Sequence, residues 1–157
     1  MNGIVPCLWF DDDAERAAEL YVSIFPRSRI IDVSRYGEGG PFPAGTVILV
    51  EFELDGRTFQ ALNGGPRFAF SEAVSFAVEV ESQEELDQVW DALLGDGGEP
   101  SQCGWLKDRF GVSWQVVPSQ LKSLLSDPDP ARSQRVMEAM LAMQKISLPE
   151  LQAAHNG

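Results

Sequence analysis

Asp55-Gly56-Arg57-Thr58-Phe59-Gln60 and Phe110-Gly111-Val112-Ser113-Trp114-Gln115 share one short pattern, Gly-x-(Thr/Ser)-aromatic-Gln. In each copy a glycine turn opens a strand whose aromatic and glutamine side chains point to opposite faces. Just upstream of the first copy, residues 46–54 alternate cleanly. Ile48, Val50, Phe52 and Leu54 fall on one side, with Val47, Leu49, Glu51 and Glu53 on the other. Asp55-Gly56 is a strong hairpin signal, so residues 46–54 turn back into a strand over 57–63.

Further upstream lies a glycine- and proline-rich loop over 37–45, and before it a strand over 29–36. Ala14, Ala17, Ala18, Tyr21, Ile24 and Phe25 recur at helical spacing, which predicts a helix over 12–25. Asp11-Asp12-Asp13 supplies its N-cap and Pro26 its stop. Residues 3–10 read as the opening strand. The order is β-α-β-β-β, closed by Asn63-Gly64-Gly65-Pro66.

The second copy sits in the same company. Residues 73–80 alternate, with Phe76, Val78 and Val80 on one side. Ser82-Gln83-Glu84-Glu85 is a capping box for a helix over 82–94 with an apolar face of Leu86, Val89, Trp90, Leu93 and Leu94. Strands near 99–103, 105–107 and 113–117 complete a second β-α-β-β-β. Shared order and shared pattern together point to duplication, with modules at 3–66 and 72–118 in a single domain, 1–157. A sheet with one cover helix in each half belongs to the α+β class.

Residues 119–157 form a helical extension. Asp127-Pro128-Asp129-Pro130 opens a helix predicted over 129–146. Its stripe of Val136, Met137, Met140, Leu141 and Met143 is too broad for open water, which suggests a homodimer. Ser147 caps a last short helix, and His155-Asn156-Gly157 reads as frayed.

Composition narrows the function. Twelve Lys and Arg stand against 24 Asp and Glu, a formal charge of −12. That balance repels phosphate backbones, so no nucleic-acid partner is expected. There is no basic leader, no apolar run long enough for a bilayer, and there are two cysteines, Cys7 and Cys103. The expectation is a cytoplasmic protein with reduced thiols and no membrane partner.

Pro6-Cys7-Leu8-Trp9-Phe10, residues 21–25, Phe52-Glu53-Leu54-Asp55-Gly56, Leu62-Asn63-Gly64-Gly65-Pro66 and residues 108–115 together resemble the PhnB-like branch of the vicinal-oxygen-chelate superfamily, the glyoxalase/bleomycin-resistance fold. Members of that branch often carry the description 3-demethylubiquinone-9 3-methyltransferase. The resemblance spans about residues 4–153 and implies two βαβββ sheets curved into a cup, homodimerisation and a ligand inside the cup. In metal-using relatives four residues of the cup hold a divalent ion. By strand position they fall here on Cys7, Gln60, Ser75 and Gln115.

Those four side chains lack the imidazole and carboxylate that suit Zn, Ni, Mn or Fe, so no metal is expected. Nor do the strand–helix junctions, Asp11-Asp12-Asp13 and Glu81-Ser82, carry the glycines of a Rossmann-type S-adenosylmethionine site. No cofactor is expected, and the methyltransferase description is not taken literally.

The candidate cup residues are Cys7, Trp9, Glu51, Gln60, Ser75 and Gln115. Cys7 is a catalytic candidate as a nucleophile, or a small strand filler. Glu51 is a candidate base, or a solvated carboxylate. Trp105, Phe42, Phe68 and Phe70 offer stacking surfaces, and Arg67 and Arg109 offer positive charge. The leading expectation is a protein that binds a small, partly apolar molecule, either as an enzyme or as a sequestering protein. The alternatives are a metal-assisted lyase, isomerase or dioxygenase with atypical ligands, and a dimeric interaction module with a filled cup.

Overall fold

Apolar side chains at alternate positions make the inner strands of each sheet one-sided, and a helix packs on that side. A computed structural model describes residues 3–157. Two four-stranded sheets and five helices make up the described chain, which contains two compact units, Met1–Phe70 and Ser71–Gly157. None of its helices is long and apolar enough to cross a membrane.

In the first unit the sheet order is β1-β4-β3-β2. Strand β1 (Cys7–Phe10) runs parallel to β4 (Arg57–Asn63), which pairs antiparallel with β3 (Val47–Leu54), which pairs antiparallel with β2 (Arg29–Arg35). Helix α1 (Ala14–Ile24) buries Ala14, Ala17, Ala18 and Tyr21. Leu8, Phe10, Val50, Phe52, Phe59 and Ala61 form the buried side of the sheet. The Asp55-Gly56 hairpin has φ values of 49° and 75°, the left-handed pair a type I′ turn requires.

Two local expectations are corrected here. The opening strand begins at Cys7, with residues 3–6 outside it. The aspartate run does not cap α1 through its side chains. Instead Asn63 Oδ1 accepts from Ala14 N at 2.8 Å, so the helix start is satisfied from the end of β4.

The second unit repeats the arrangement as β5-β8-β7-β6. Strand β5 (Phe76–Val80) is parallel to β8 (Ser113–Pro118). The short strands β7 (Trp105–Lys107) and β6 (Glu99–Pro100) continue antiparallel. Helix α2 (Gln83–Leu94) buries Leu86, Val89, Trp90 and Leu93. Ser82 Oγ accepts from Glu85 N at 3.1 Å. The reciprocal bond goes from Glu81 N to Glu85 Oε2 at 2.8 Å, one residue ahead of the N-cap. The strand expected over 99–103 shrinks to Glu99–Pro100 because the chain turns, with Trp105 N donating to Gln102 O.

Helices α3 (Leu121–Leu125), α4 (Pro130–Leu141) and α5 (Leu148–Asn156) belong to this unit. Helix α3 was not expected, and α4 stops at Leu141 rather than at residue 146. The reason is tertiary. Cys103 N and Gly104 N donate to Met143 O and Gln144 O at 2.8 and 2.7 Å, which draws 143–144 out of helical geometry. The five-residue stripe therefore divides. Val136 is fully buried, while Met137 and Leu141 are exposed. The frayed end is corrected too. His155 Nε2 lies 2.8 Å from Asp127 Oδ2, and Arg135 donates to Ala154 O and His155 O at 2.7 and 2.8 Å.

Candidate binding faces

Strand pairing decides which polar groups share a face. In the first unit Cys7 stands opposite Gln60, and Gln60 opposite Glu51. These three form one row across β1, β4 and β3, on the side away from buried Leu8, Ala61 and Val50. Gln60 Nε2 donates to Glu51 Oε1 at 3.0 Å, a part-buried bond. It leaves the amide oxygen of Gln60 and the second carboxylate oxygen of Glu51 with acceptor capacity. Cys7 is exposed, yet partial desolvation pushes its thiol pKa up. That direction disfavours thiolate and argues against Cys7 as nucleophile. Glu53, one row away, is engaged by Arg29 at 2.8 Å.

Trp9 stands opposite Leu62 in the next row. Its Nε1 donates to Gly65 O at 2.9 Å, and its ring meets Phe68 edge-on at 5.1 Å. A Cβ on Gly64 would lie 2.3 Å from Trp9 Cε2 and Cζ2. Glycine is therefore the residue that lets the loop after β4 close against the indole. Trp9 is half-buried and held on three sides, a fixed aromatic wall beside the polar row. Phe70 packs on Phe10 at 5.1 Å, Phe42 on Tyr36 at 5.2 Å, and the Arg67 guanidinium lies 5.3 Å from the Phe68 ring.

In the second unit Gln115 stands opposite both Ala77 and Trp105. Ala77 thus holds the place equivalent to Cys7. Ser75 precedes β5, but its Oγ accepts from Gln115 Nε2 at 2.9 Å. The polar row is here replaced by Ala77, Gln115 and an indole. On the opposite face Asp108, buried to 3% exposure, accepts from Phe110 N and Val112 N at 2.9 and 3.0 Å and from Trp114 Nε1 at 2.9 Å. That knot orders the turn into β8 and hence the direction of Gln115. Asp108 was read only as part of a motif. Its one legible signal was Asp followed by Gly three residues later, an ordinary turn pattern.

The donor chemistry does not fit a tightly bound metal. Gln60 is hydrogen-bonded to Glu51, and Ser75 and Gln115 to each other. Among the described residues no group of three or more His, Cys, Asp or Glu is placed to hold an ion. Nor do the junctions fit S-adenosylmethionine. Residues 11–13 and 81–82, between strand and helix in each unit, contain no glycine for close approach of a cofactor.

The family model for 3-demethylubiquinone-9 3-methyltransferase matches residues 2–117. The PhnB protein of Bacillus cereus is 36% identical, with a TM-score of 0.69 over 75% of this chain and 100% of that one. A protein of Pseudomonas aeruginosa is 22% identical, with a TM-score of 0.62 over 75% and 98%. A fosfomycin resistance protein from Mesorhizobium loti is 14% identical, with a TM-score of 0.50 over 74% and 90%, a likeness of fold. No curated protein matches the chain significantly.

Proposed function

The chain belongs to the 3-demethylubiquinone-9 3-methyltransferase family, the PhnB-like branch of the vicinal-oxygen-chelate superfamily, and from that premise we propose that it binds a small, partly apolar molecule on its open sheet faces without a tight metal. One observation carries this reading. The Cys7–Gln60–Glu51 row places free acceptor positions beside the fixed indole of Trp9, on the side of the sheet that α1 does not cover. Apolar walls with a few oriented polar groups are what small-molecule sites are made of.

Within that site Trp9 supplies apolar contact, and Gln60 orients a ligand donor. Glu51 is the one carboxylate in the row, with one oxygen left open toward a ligand. If a reaction occurs, Glu51 is its base; without one, the protein sequesters its ligand. On the second unit Gln115 and Ser75 present a different polar pair, bonded to each other at 2.9 Å. Methyl transfer from S-adenosylmethionine is not part of this proposal. We also infer a homodimer that covers Met137 and Leu141 on α4, two exposed apolar side chains on one helix.

The test is side-chain amide NMR during titration with a library of small amphipathic molecules. Saturable shifts of the Gln60 NH2 pair, lost in Trp9→Ala, are expected. Ligands that saturate without moving Gln60 or Gln115 would sink the proposal.

A further inference from the structure

At the β6–β7 end of the second sheet lies a pocket of about 180 Å³, lined by Glu72, Glu99, Ser101, Trp105, Lys107 and Ser113 among others. It is smaller than the roughly 300–1,000 Å³ of drug-sized sites. Ser113 alternates with Trp114, which is buried on the helix side. Its hydroxyl therefore points to the pocket side of the sheet. Ser113 is only 3% exposed, and its Oγ has no hydrogen-bond partner among the described residues. A buried polar atom left unsatisfied is costly and asks for an explanation.

The charges around it favour a cation. Lys107 stands directly opposite Ser113 on β7. Its Nζ lies 2.9 Å from Glu72 and 3.6 Å from Glu99, so two carboxylates share one ammonium and the pocket is left with a charge of −1. An anionic ligand would compete with both carboxylates, in a chain of formal charge −12. The ion pairs of Lys107 are largely exposed. They are weak enough for its side chain to swing aside from Ser113. Trp105 adds an aromatic wall that suits a cation with an apolar body.

We propose that this pocket binds the ammonium group of a small amine. Glu72 and Glu99 neutralise the charge, Ser113 Oγ accepts an N–H, and the indole of Trp105 covers the apolar part. The inference rests on the proposed function only in taking the open side of the second sheet as a binding face. Its residues are separate from the Cys7–Gln60–Glu51 row.

The experiment follows the Trp105 indole N–H by NMR while the full chain is titrated with phenethylamine, phenethyl alcohol and phenylacetate. A saturable shift with phenethylamine alone is expected. Glu72→Gln and Glu99→Gln should each weaken it about threefold in Kd, the size expected of an exposed ion pair. Ser113→Ala should raise Tm, because an unsatisfied hydroxyl is removed, and should also weaken the amine. A rise in Tm with unchanged affinity makes the hydroxyl a packing orphan and overturns the inference. Equal response to phenylacetate, or no Trp105 shift with any probe, overturns it as well. In that event shifts of Gln60 with other ligands would leave the proposed function standing.

Discussion

Gly64→Ala places a methyl group 2.3 Å from Cε2 and Cζ2 and 2.6 Å from Cη2 of Trp9. Carbon atoms in van der Waals contact prefer about 3.5–4.0 Å, so the ring or the loop must retreat by about 1 Å. The ring is fixed by its bond to Gly65 O and its contact with Phe68, and the loop by Gly64 N and Gly65 N donating to Phe10 O and Asp11 O at 2.9 and 3.2 Å. Overpacking costs about 1–3 kcal/mol. A broken Trp9–Gly65 bond adds about 1 kcal/mol. The expected loss is about 2–4 kcal/mol, or roughly 5–15 °C in Tm for a chain of this size. Urea unfolding followed by circular dichroism measures it, and Trp9→Phe with Gly64→Ala completes a cycle that isolates the pair. Trp9→Phe should relieve at least half of the loss, because the smaller ring vacates the contested space. A Gly64→Ala protein within about 0.5 kcal/mol of wild type refutes the close approach.

Asp108→Ala removes the carboxylate that accepts from Phe110 N, Val112 N and Trp114 Nε1. It should destabilise by about 3–5 kcal/mol in denaturant unfolding; a loss under 1 kcal/mol contradicts the knot. The carboxyls of Asp87, bonded by Lys145 and Gln83, and of Asp127, bonded by Asp129 N and His155, are held below the usual range. Groups lowered on folding contribute stability that is present above their unfolded pKa and lost as pH falls through the folded value. The denaturant midpoint should therefore drop below about pH 4, and Lys145→Ala should shrink that drop. Met137→Glu with Leu141→Glu should yield a folded monomer in light scattering. A dimer that survives both changes, or a wild type already monomeric, refutes the α4 interface.

The parts legible in the sequence were those where local chemistry and tertiary need agree. Alternation in β3 put Val50 and Phe52 in the core and Glu51 on the other face, and the Asp55-Gly56 hairpin laid β4 beside β3. The repeat pattern placed Gln60 and Gln115 at matching sites on β4 and β8. What escaped was decided by distant partners. The end of α4 depends on Cys103 and Gly104, whose N–H groups donate to Met143 O and Gln144 O. His155 looked frayed because its partner Asp127 lies 28 residues away. The pocket at Ser113 was hidden because Glu72, Glu99 and Lys107 meet only once β6 and β7 pair.

Native mass spectrometry of freshly purified protein, paired with elemental analysis, tests metal-free binding of a small molecule most directly. The expected result is an organic adduct on the folded chain, lost in the Trp9→Ala, Gln60→Ala double variant, with no stoichiometric metal. About one tightly held ion per chain after mild chelation, or an adduct untouched by the double variant, would contradict it.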